Sequence, residues 1–304
     1  MISLLLALLL EVVSGVHVLR GGFVPGSQPD GNTVVFDAPQ GWIVVDSGRH
    51  AAHTQRIVDF ARESKRPIAA IINTHWHLDH ISGNAALRTE FPHVRVYASN
   101  ALEEAQKGFL ANYRKQLVEM IAQSEGEQRK RFEDEVARID AGPKLAPDEV
   151  ITASGHKTLA GKELTIELEQ HAVTAGDLWV YDASTGVVAA GDLVTLPAPF
   201  LDTACPERWA QSLERLSKTP FHILIPGHGA PMTHKQFDVY RAAFTDLLAC
   251  GKSDKPNDAC IDGWVAATKP LARNDDEKFT RDLMGYYVNL LRDARHNCGT
   301  SSTP

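Results

Sequence analysis

The chain has 304 residues, of which 43% are hydrophobic and 23% carry a charge, a composition typical of an ordinary globular protein. A formal net charge of −7, without a long Lys/Arg run, argues against a nucleic-acid partner. The densest basic segment, 129–131, is surrounded by Glu and Asp and indicates the solvated face of a helix.

The chain opens with an apolar run over 2–10, which is too short to span a bilayer as a helix. The run has the length of a signal-peptide core, although no Lys or Arg stands beside Met1 and no clear small-x-small cleavage site follows. Because a credible strand begins at residue 15, we predict an apolar leader or signal-like segment over 1–14. A helix packed on the domain is the alternative.

Short strands alternate with loops and a helix at 54–64 in the first half of the chain. The predicted strands are 16–19, 33–36, 42–45, 68–72 and 95–98. The Gly- and Pro-rich loop 21–32 is a candidate substrate flap, with Phe23 as an apolar contact. Near 101–140, apolar residues including Phe109, Leu117 and Met120 recur at helical spacing, which predicts a helical insertion that is either a lid or a surface decoration.

The second half repeats this pattern of strands and helices. The predicted strands are 164–168, 178–181, 187–190 and 221–225, followed by two C-terminal helices within 235–297. Each half delivers a histidine at the end of an apolar strand, His75 in the first and His228 in the second. Because no linker separates the halves, we predict one α/β domain over 15–304, with two sheets that face each other.

Four cysteines lie in the second half: Cys205, Cys250, Cys260 and Cys298. They form no C-x-x-C pair, which argues against a structural zinc site of thiolates. Their even number fits two disulfides, with Cys250 and Cys260 closing a polar loop. Together with the leader this predicts a periplasmic or secreted protein, whereas four buried thiols in a cytoplasmic enzyme are the alternative.

The segment 74–80 (Thr-His-Trp-His-Leu-Asp-His) concentrates metal-ligand residues at the end of an apolar strand. His75 and His77 are two residues apart, so in an extended chain they share one face. Asp79 and His80 follow where the chain must turn. Four ligand-type residues are one more than the three protein ligands of a catalytic zinc ion, which predicts two adjacent ions, whereas a chance cluster in a solvated loop is the alternative.

Three further ligand-type residues follow β-like runs: His171, Asp192 and His228. Glycines beside Asp192 and His228 permit tight turns and a close approach of the backbone. Each segment alone is a weak signal, but their order and their position after strands make them strong together.

This pattern resembles the metallo-β-lactamase superfamily from about residue 15 to residue 228. The seven ligand-type residues match its five metal-binding elements in order, and Asp46-Ser47-Gly48 matches its early Asp-x-Gly turn. The resemblance implies a four-layer αββα sandwich, in which two mixed sheets are flanked by helices and the metals lie at one edge. It assigns His75, His77 and His171 to one ion, Asp79, His80 and His228 to the other, and Asp192 as the bridge.

The implied cofactor is zinc, two ions per chain, with iron and manganese as alternatives. A hydroxide between the ions would be the nucleophile, and Asp79 would be the catalytic residue that orients it and moves a proton to the leaving group. Asp192 stands where the best-known zinc β-lactamases carry Cys or Ser, so the ligand set is more similar to glyoxalase II and lactonases. The basic C-terminal group of glyoxalase II and the lactonase Tyr have no counterpart here.

The predicted function is therefore a dinuclear zinc hydrolase that cleaves an ester, thioester, lactone or β-lactam bond in a small molecule. No nucleic-acid partner and no stable membrane span are expected. A mononuclear iron sulfur dioxygenase of the same superfamily is the main alternative. The acidic charge argues against a nuclease, and the complete ligand set argues against a non-catalytic binding protein.

Overall fold

A computed structural model of the chain describes residues 10–22, 28–272 and 277–293, together with Cys298. Most of the predicted leader, and Phe23 of the predicted flap, lie outside these residues. The chain divides into two compact units. The N-terminal unit consists mainly of His17–Thr152, and the C-terminal unit of the residues from Glu163 onward.

The N-terminal unit is built on a seven-stranded mixed sheet whose strands lie in chain order. They are β1 (Leu10–Val13), β2 (Val16–Leu19), β3 (Thr33–Ala38), β4 (Gly41–Val45), β5 (Ile68–Ile72), β6 (Arg95–Ala98) and β7 (Glu149–Val150). β3 and β4 pair antiparallel, whereas β4, β5, β6 and β7 are parallel. The sheet thus begins at Leu10, inside the range predicted as the leader.

Seven helices of the described residues belong to this unit. They are α1 (Ala51–Glu63), α2 (Leu78–Ile81), α3 (Asn84–Glu90), α4 (Ala101–Lys107), α5 (Phe109–Ala122), α6 (Gly126–Asp140) and α7 (Gly142–Leu145). Ile57 and Val58 of α1 pack with Val44 and Ile71 of the sheet in one buried cluster. β5 is a continuous apolar run because a parallel strand in the sheet interior is covered on both faces.

The predicted insertion consists of α4 to α7 and extends to Leu145, beyond the expected end near residue 140. The apolar face of α5 is buried only in part. Leu117 is buried, but Phe109 is 40% exposed and Met120 43%. The physical reason lies in the neighbouring helix, because Glu135 is the buried residue of α6 and α5 therefore has a largely polar partner.

The C-terminal unit is built on a six-stranded mixed sheet in the order β13-β12-β11-β10-β9-β8. Its strands are β8 (Gly155–Leu159), β9 (Lys162–Gln170), β10 (Gly176–Asp182), β11 (Val187–Thr195), β12 (Ile223–His228) and β13 (Met232–Thr233). β11 and β12 are parallel, whereas the pairs β9–β10 and β10–β11 are antiparallel. The predicted architecture of two mixed sheets with flanking helices is confirmed.

Four helices of the described residues complete this unit: α8 (Pro206–Leu216), α9 (His234–Gly251), α10 (Asn257–Thr268) and α11 (Glu277–Arg292). The sequence pattern missed α8, and it predicted two C-terminal helices where three are present. A capping box starts α9, since the Thr233 hydroxyl accepts from the Gln236 amide while the Gln236 side chain accepts from the Thr233 amide.

Two disulfides stabilise the C-terminal unit. Cys250 and Cys260 join the end of α9 to α10, as predicted. Cys205, the residue before α8, is bonded to Cys298. Among the described residues, no helix combines the length and the apolar character that a bilayer span requires.

Strand direction brings the predicted ligands to one edge within each sheet. β4 and β5 are parallel, so Asp46 and the segment 74–80 both follow carboxyl ends. In the second sheet β9, β11 and β12 run in the same direction, because β10 is antiparallel to both of its neighbours. His171, Asp192 and His228 therefore belong to the same edge of that sheet.

Candidate metal centre

Four ligand-type side chains form the N-terminal half-site: His75, His77, Asp79 and His80. All four are buried, and His80 has no exposed surface. The ring centroid of His75 lies 4.4 Å from that of His77 and 4.2 Å from that of His80. Oδ2 of Asp79 lies 3.6 Å from Nε2 of His80. The first two residues follow β5, and the other two lie on the short helix α2.

A chain of hydrogen bonds orients two of these imidazoles. Asp46 Oδ2 lies 2.8 Å from His80 Nδ1 and accepts from the Thr74 hydroxyl, also at 2.8 Å. The Thr74 oxygen lies 2.9 Å from Nδ1 of His75. Because the hydroxyl proton points to Asp46, the Thr74 oxygen accepts from His75. Both histidines thus carry their proton on Nδ1, and Nε2 is the nitrogen available as a ligand.

The Asp46 turn is held tightly against the N-terminal half-site. Asp46 has a φ of 63°, and its Oδ1 accepts from the Thr74 amide at 2.8 Å. Burial raises the pKa of Asp46, while the neighbouring His80 and the Thr74 hydrogen bonds act in the opposite direction. A Cβ at Gly31 would lie 2.4 Å from the His80 ring, so only glycine permits this loop to pass so closely.

Trp76, inside the ligand segment, is buried. Its ring makes an edge contact with the His77 ring, with centroids 4.6 Å apart, and lies 5.5 Å from the Phe109 ring of α5. Of the two roles considered for Trp76, packing behind the ligand loop and substrate contact, this burial favours packing.

Three residues form the C-terminal half-site: His171, Asp192 and His228. Asp192 is buried in β11, and its Oδ1 lies 3.6 Å from Nε2 of His228 at the end of β12. A Cβ at Gly227 would lie 1.9 Å from that carboxylate oxygen. Glycine at 227 therefore makes room for the Asp192 side chain. No contact of the His171 ring with Asp192 or His228 is seen among the described residues.

His171 begins the turn between β9 and β10 with a φ of 58°, and its amide donates to the Ala175 carbonyl at 3.2 Å. The buried carboxylate of Asp177 holds this turn from inside. It accepts from the amides of Val173 and Thr174 and, at 2.8 Å, from the Thr174 hydroxyl. Burial raises the pKa of Asp177 to about 7, although these hydrogen bonds lower it.

Glu169 anchors the end of β9, just before His171. Its buried carboxylate accepts from Ser212 at 2.9 Å and from Arg215 Nε at 3.0 Å, and Trp179 Nε1 lies 3.3 Å away. Glu169, Trp179 and Arg215 border a cleft of about 500 Å³. The cleft has no predicted metal ligand in its wall, so it is not the site indicated by the motifs.

The donor set of the half-sites fits a divalent transition metal. His80, with Nδ1 held by a carboxylate and Nε2 directed towards Asp79, has the pattern of a metal-ligating histidine. Imidazoles together with carboxylates suit zinc and also iron. Such a set can bind cations and, beside them, activate water.

Sequence patterns missed several residues that support the site. Thr74 stands inside the motif but was not singled out, and Asp177 gave no signal because nothing local distinguishes it from a surface turn residue. Arg49 follows the Asp-x-Gly turn, and its Nη2 lies 3.6 Å from Oδ1 of Asp79. Its partner Glu135 belongs to a charged helix, where the pattern indicates only solvent exposure.

Comparison with known proteins identifies two hydrolases as relatives. The chain is 25% identical over 225 residues to a linear primary-alkylsulfatase of a Pseudomonas species, covering 66% of this chain and 42% of that protein. It is 24% identical over 206 residues to an atrochrysone carboxyl ACP thioesterase of Aspergillus fumigatus, covering 67% of this chain and 52% of that protein. The chain thus spans about half the length of these relatives.

A solved metallo-β-lactamase from Pontibacter korlensis shares the fold. Its TM-score is 0.59 at 17% identity, and the match covers 78% of this chain and 98% of that one. The sequence model of the metallo-β-lactamase superfamily matches residues 27–228, a range that contains both half-sites. The chain therefore belongs to the metallo-β-lactamase superfamily.

Proposed function

We propose that this protein is a dinuclear zinc hydrolase that cleaves an ester, thioester, lactone or β-lactam bond in a small molecule. The observation that carries the proposal is the buried set His75, His77, Asp79 and His80, in which Asp46 and Thr74 orient the His80 and His75 imidazoles. The family match over 27–228 supports it, since that range includes every proposed ligand.

Seven residues would hold the ions: His75, His77, Asp79 and His80 of the N-terminal half-site, and His171, Asp192 and His228 of the C-terminal half-site. When bound, zinc supplies Lewis-acid polarisation of the scissile bond and a water that is nucleophilic near neutral pH. Asp46 and Thr74 keep the Nδ1 protons of His80 and His75 in place, so that these rings need no reorientation on metal binding.

Asp79 has a second task in this proposal. One of its oxygens is close to His80 and the other faces Arg49, so the carboxylate has a defined orientation. From there it would hold the attacking water and move a proton to the leaving group.

The relatives guide the choice of substrates and location. Their names put an alkyl sulfate ester and an acyl thioester first in a panel that also holds carboxylic esters, lactones and β-lactams. The two disulfides support a periplasmic or secreted location, because such bonds persist in oxidising compartments.

The test combines metal quantification with hydrolysis of this panel. We compare the metal content and hydrolysis rate of wild type with those of His77→Ala and His228→Ala. The matched control is His156→Ala, which changes an exposed histidine. We expect two zinc ions per chain in wild type and control. In the two ligand variants we expect fewer ions and a loss of hydrolysis of at least about 100-fold, because Lewis-acid stabilisation amounts to several kcal/mol.

Unchanged metal content and hydrolysis in His77→Ala would show that the site assignment is wrong. One iron per chain with oxygen uptake, and no hydrolysis of any panel member, would replace the proposal with the sulfur dioxygenase alternative.

A further inference from the structure

Arg49 is a buried cation beside the N-terminal half-site. Its side chain is 9% exposed. Nη2 lies 3.6 Å from Oδ1 of Asp79, and Nη1 pairs with Oε1 of Glu135 on α6. Burial would lower the pKa of Arg49, but the carboxylates of Asp79 and Glu135 raise it. The guanidinium is therefore charged at every pH at which the protein is folded.

The position of Arg49 is fixed by its other contacts. Its amide donates to Asp30 Oδ1 at 2.6 Å, and its Nε donates to the Pro29 carbonyl at 3.2 Å. Its own carbonyl accepts from Nε of Arg138 at 3.2 Å, and Nη1 of Arg138 donates to Oε2 of Glu135 at 2.8 Å. With backbone and Nε held, the remaining freedom of the guanidinium is small.

Asp79 presents its two oxygens to different neighbours. Oδ1 faces Arg49, whereas Oδ2 lies 3.6 Å from Nε2 of His80. We infer that Arg49 is a positioning residue: it engages Oδ1, so that Oδ2 and the His80 imidazole are presented together to one metal ion. Glu135 supplies the counter-charge that this arrangement needs. The inference rests on the proposed metal site, and it makes the helical insertion a support of that site instead of a lid or a decoration.

The role of Glu135 follows from charge balance. Arg49 and Arg138 carry two positive charges, and Asp79 and Glu135 carry two negative charges, all within one connected group. If the side chain at 135 is neutral, Asp79 alone balances the positive charge of Arg49. Arg49 then competes with a metal ion for both carboxylate oxygens of Asp79. The uncompensated positive charge also repels a cation at the half-site. Both effects weaken metal binding.

The test measures zinc affinity by competition with a chromophoric chelator in the full-length protein. Glu135→Gln, which keeps the size of the side chain, should weaken binding of one zinc ion by about 10- to 100-fold, the usual cost of losing a group that orients a ligand. Arg49→Lys keeps the charge but cannot reach the Pro29 carbonyl, Glu135 and Asp79 at once, and should act in the same direction.

The matched control is Arg114→Gln. It breaks an exposed ion pair with Asp140 in the same insertion, at 2.6 Å and 2.8 Å, and should leave zinc affinity unchanged. A role through Asp79 is separated from a merely structural role by a double-mutant cycle. In the Asp79→Asn background only the charge repulsion remains, so Glu135→Gln should reduce zinc affinity clearly less than it does in the wild-type background, and Arg49→Lys, which keeps the charge, should change it less than about twofold.

The outcomes separate this inference from the proposed function. Wild-type protein that binds no zinc would overturn both. Two results would overturn the positioning role alone. One is that Glu135→Gln binds zinc as tightly as wild type, and the other is that it loses the same zinc affinity in the wild-type and Asp79→Asn backgrounds. If Glu135→Gln does not fold, the positioning role is tested with Arg49→Lys in the same double-mutant cycle with Asp79→Asn.

Discussion

The buried carboxyl group of Asp177 should give this protein a stability component that decreases as the pH rises. Its ordinary pKa is 3.8, and burial in the folded state raises it to about 7. The folded state therefore binds the proton more tightly than the unfolded state. The resulting stabilisation is fully present below about pH 4 and is lost as the pH rises through 7.

The magnitude follows from the same pKa difference. Each pH unit by which the folded-state pKa exceeds the unfolded-state pKa corresponds to about 1.4 kcal/mol. At pH 5 the unfolded carboxyl group is already ionised, whereas the folded one keeps its proton until about pH 7. Raising the pH from 5 to 8 should therefore lower the free energy of unfolding by about 2–3 kcal/mol through Asp177 alone.

The assay is urea unfolding followed by circular dichroism between pH 5 and pH 8, with a chelator present so that metal release adds no pH dependence. Wild type is compared with Asp177→Asn, which keeps the shape but cannot ionise. His53 contributes the opposite slope, since burial lowers its pKa to about 4 and its stabilisation is lost as the pH falls from 6.5. The difference between wild type and variant removes this contribution.

We expect Asp177→Asn to be less stable at low pH, because its amide group faces backbone N–H donors, and to lack the downward slope above pH 5. Thr174→Val removes a donor to the carboxylate, so it should raise the pKa further and extend the slope to higher pH. Parallel pH profiles of wild type and Asp177→Asn would refute the reasoning.

Three further perturbations test the half-sites and the disulfides. Gly227→Ala should weaken zinc binding, because a Cβ at this position would lie 1.9 Å from Asp192 Oδ1. The control is Gly263→Ala in α10, where a Cβ meets nothing within 4 Å and should stabilise the helix by about 1 kcal/mol. Equal zinc affinities of these two variants would contradict the reasoning. Thr74→Val interrupts the hydrogen-bonded link from Asp46 to His75 and should weaken zinc binding by about 10- to 100-fold in a chelator competition. Unchanged zinc affinity would show that the His75 ring needs no such support. Removal of the Cys205–Cys298 disulfide, whose sequence separation is 93, should lower the free energy of unfolding by about 4–5 kcal/mol. Removal of the Cys250–Cys260 disulfide should lower it by about 3 kcal/mol, because the loop that it closes is shorter, with a separation of 10. Denaturant unfolding of the two Cys→Ala variants checks that order, and a larger loss at the shorter loop would contradict it.

Local patterns predicted the parts of the fold that depend on neighbouring residues. β5 was predicted with its observed bounds, because an uninterrupted apolar run between a charged helix end and a polar motif has few other interpretations. The capped α9 and the strand β6 were found for similar reasons. α8 was missed although it begins with Pro206, because its buried residues, among them Trp209 and Leu213, were hidden between charged ones.

The helical insertion shows that hydrophobic periodicity alone does not predict which side of a helix is buried. Spacing in α5 predicted a helix with one apolar face, and of that face Leu117 is buried whereas Met120 is exposed. Which side of such a helix is covered depends on its partner, and the partner α6 presents Glu135 to the inside. Sequence spacing identifies a helix, but it does not identify the helix that packs against it.

The sequence by itself determined which residues are candidate metal ligands, since the ligand-type side chains, the glycines beside Asp192 and His228 and the Asp-x-Gly turn each belong to a short segment that can be recognised locally. Only the tertiary structure decided which side chains support them. Arg49 meets Glu135 across 86 residues, and Cys205 meets Cys298 across 93. Such pairs depend on how distant elements pack, a property that hydrophobic periodicity and turn residues do not encode. The candidate ligands could therefore be named from the sequence, whereas the buried ion pair of Arg49 and Glu135 beside Asp79 could not.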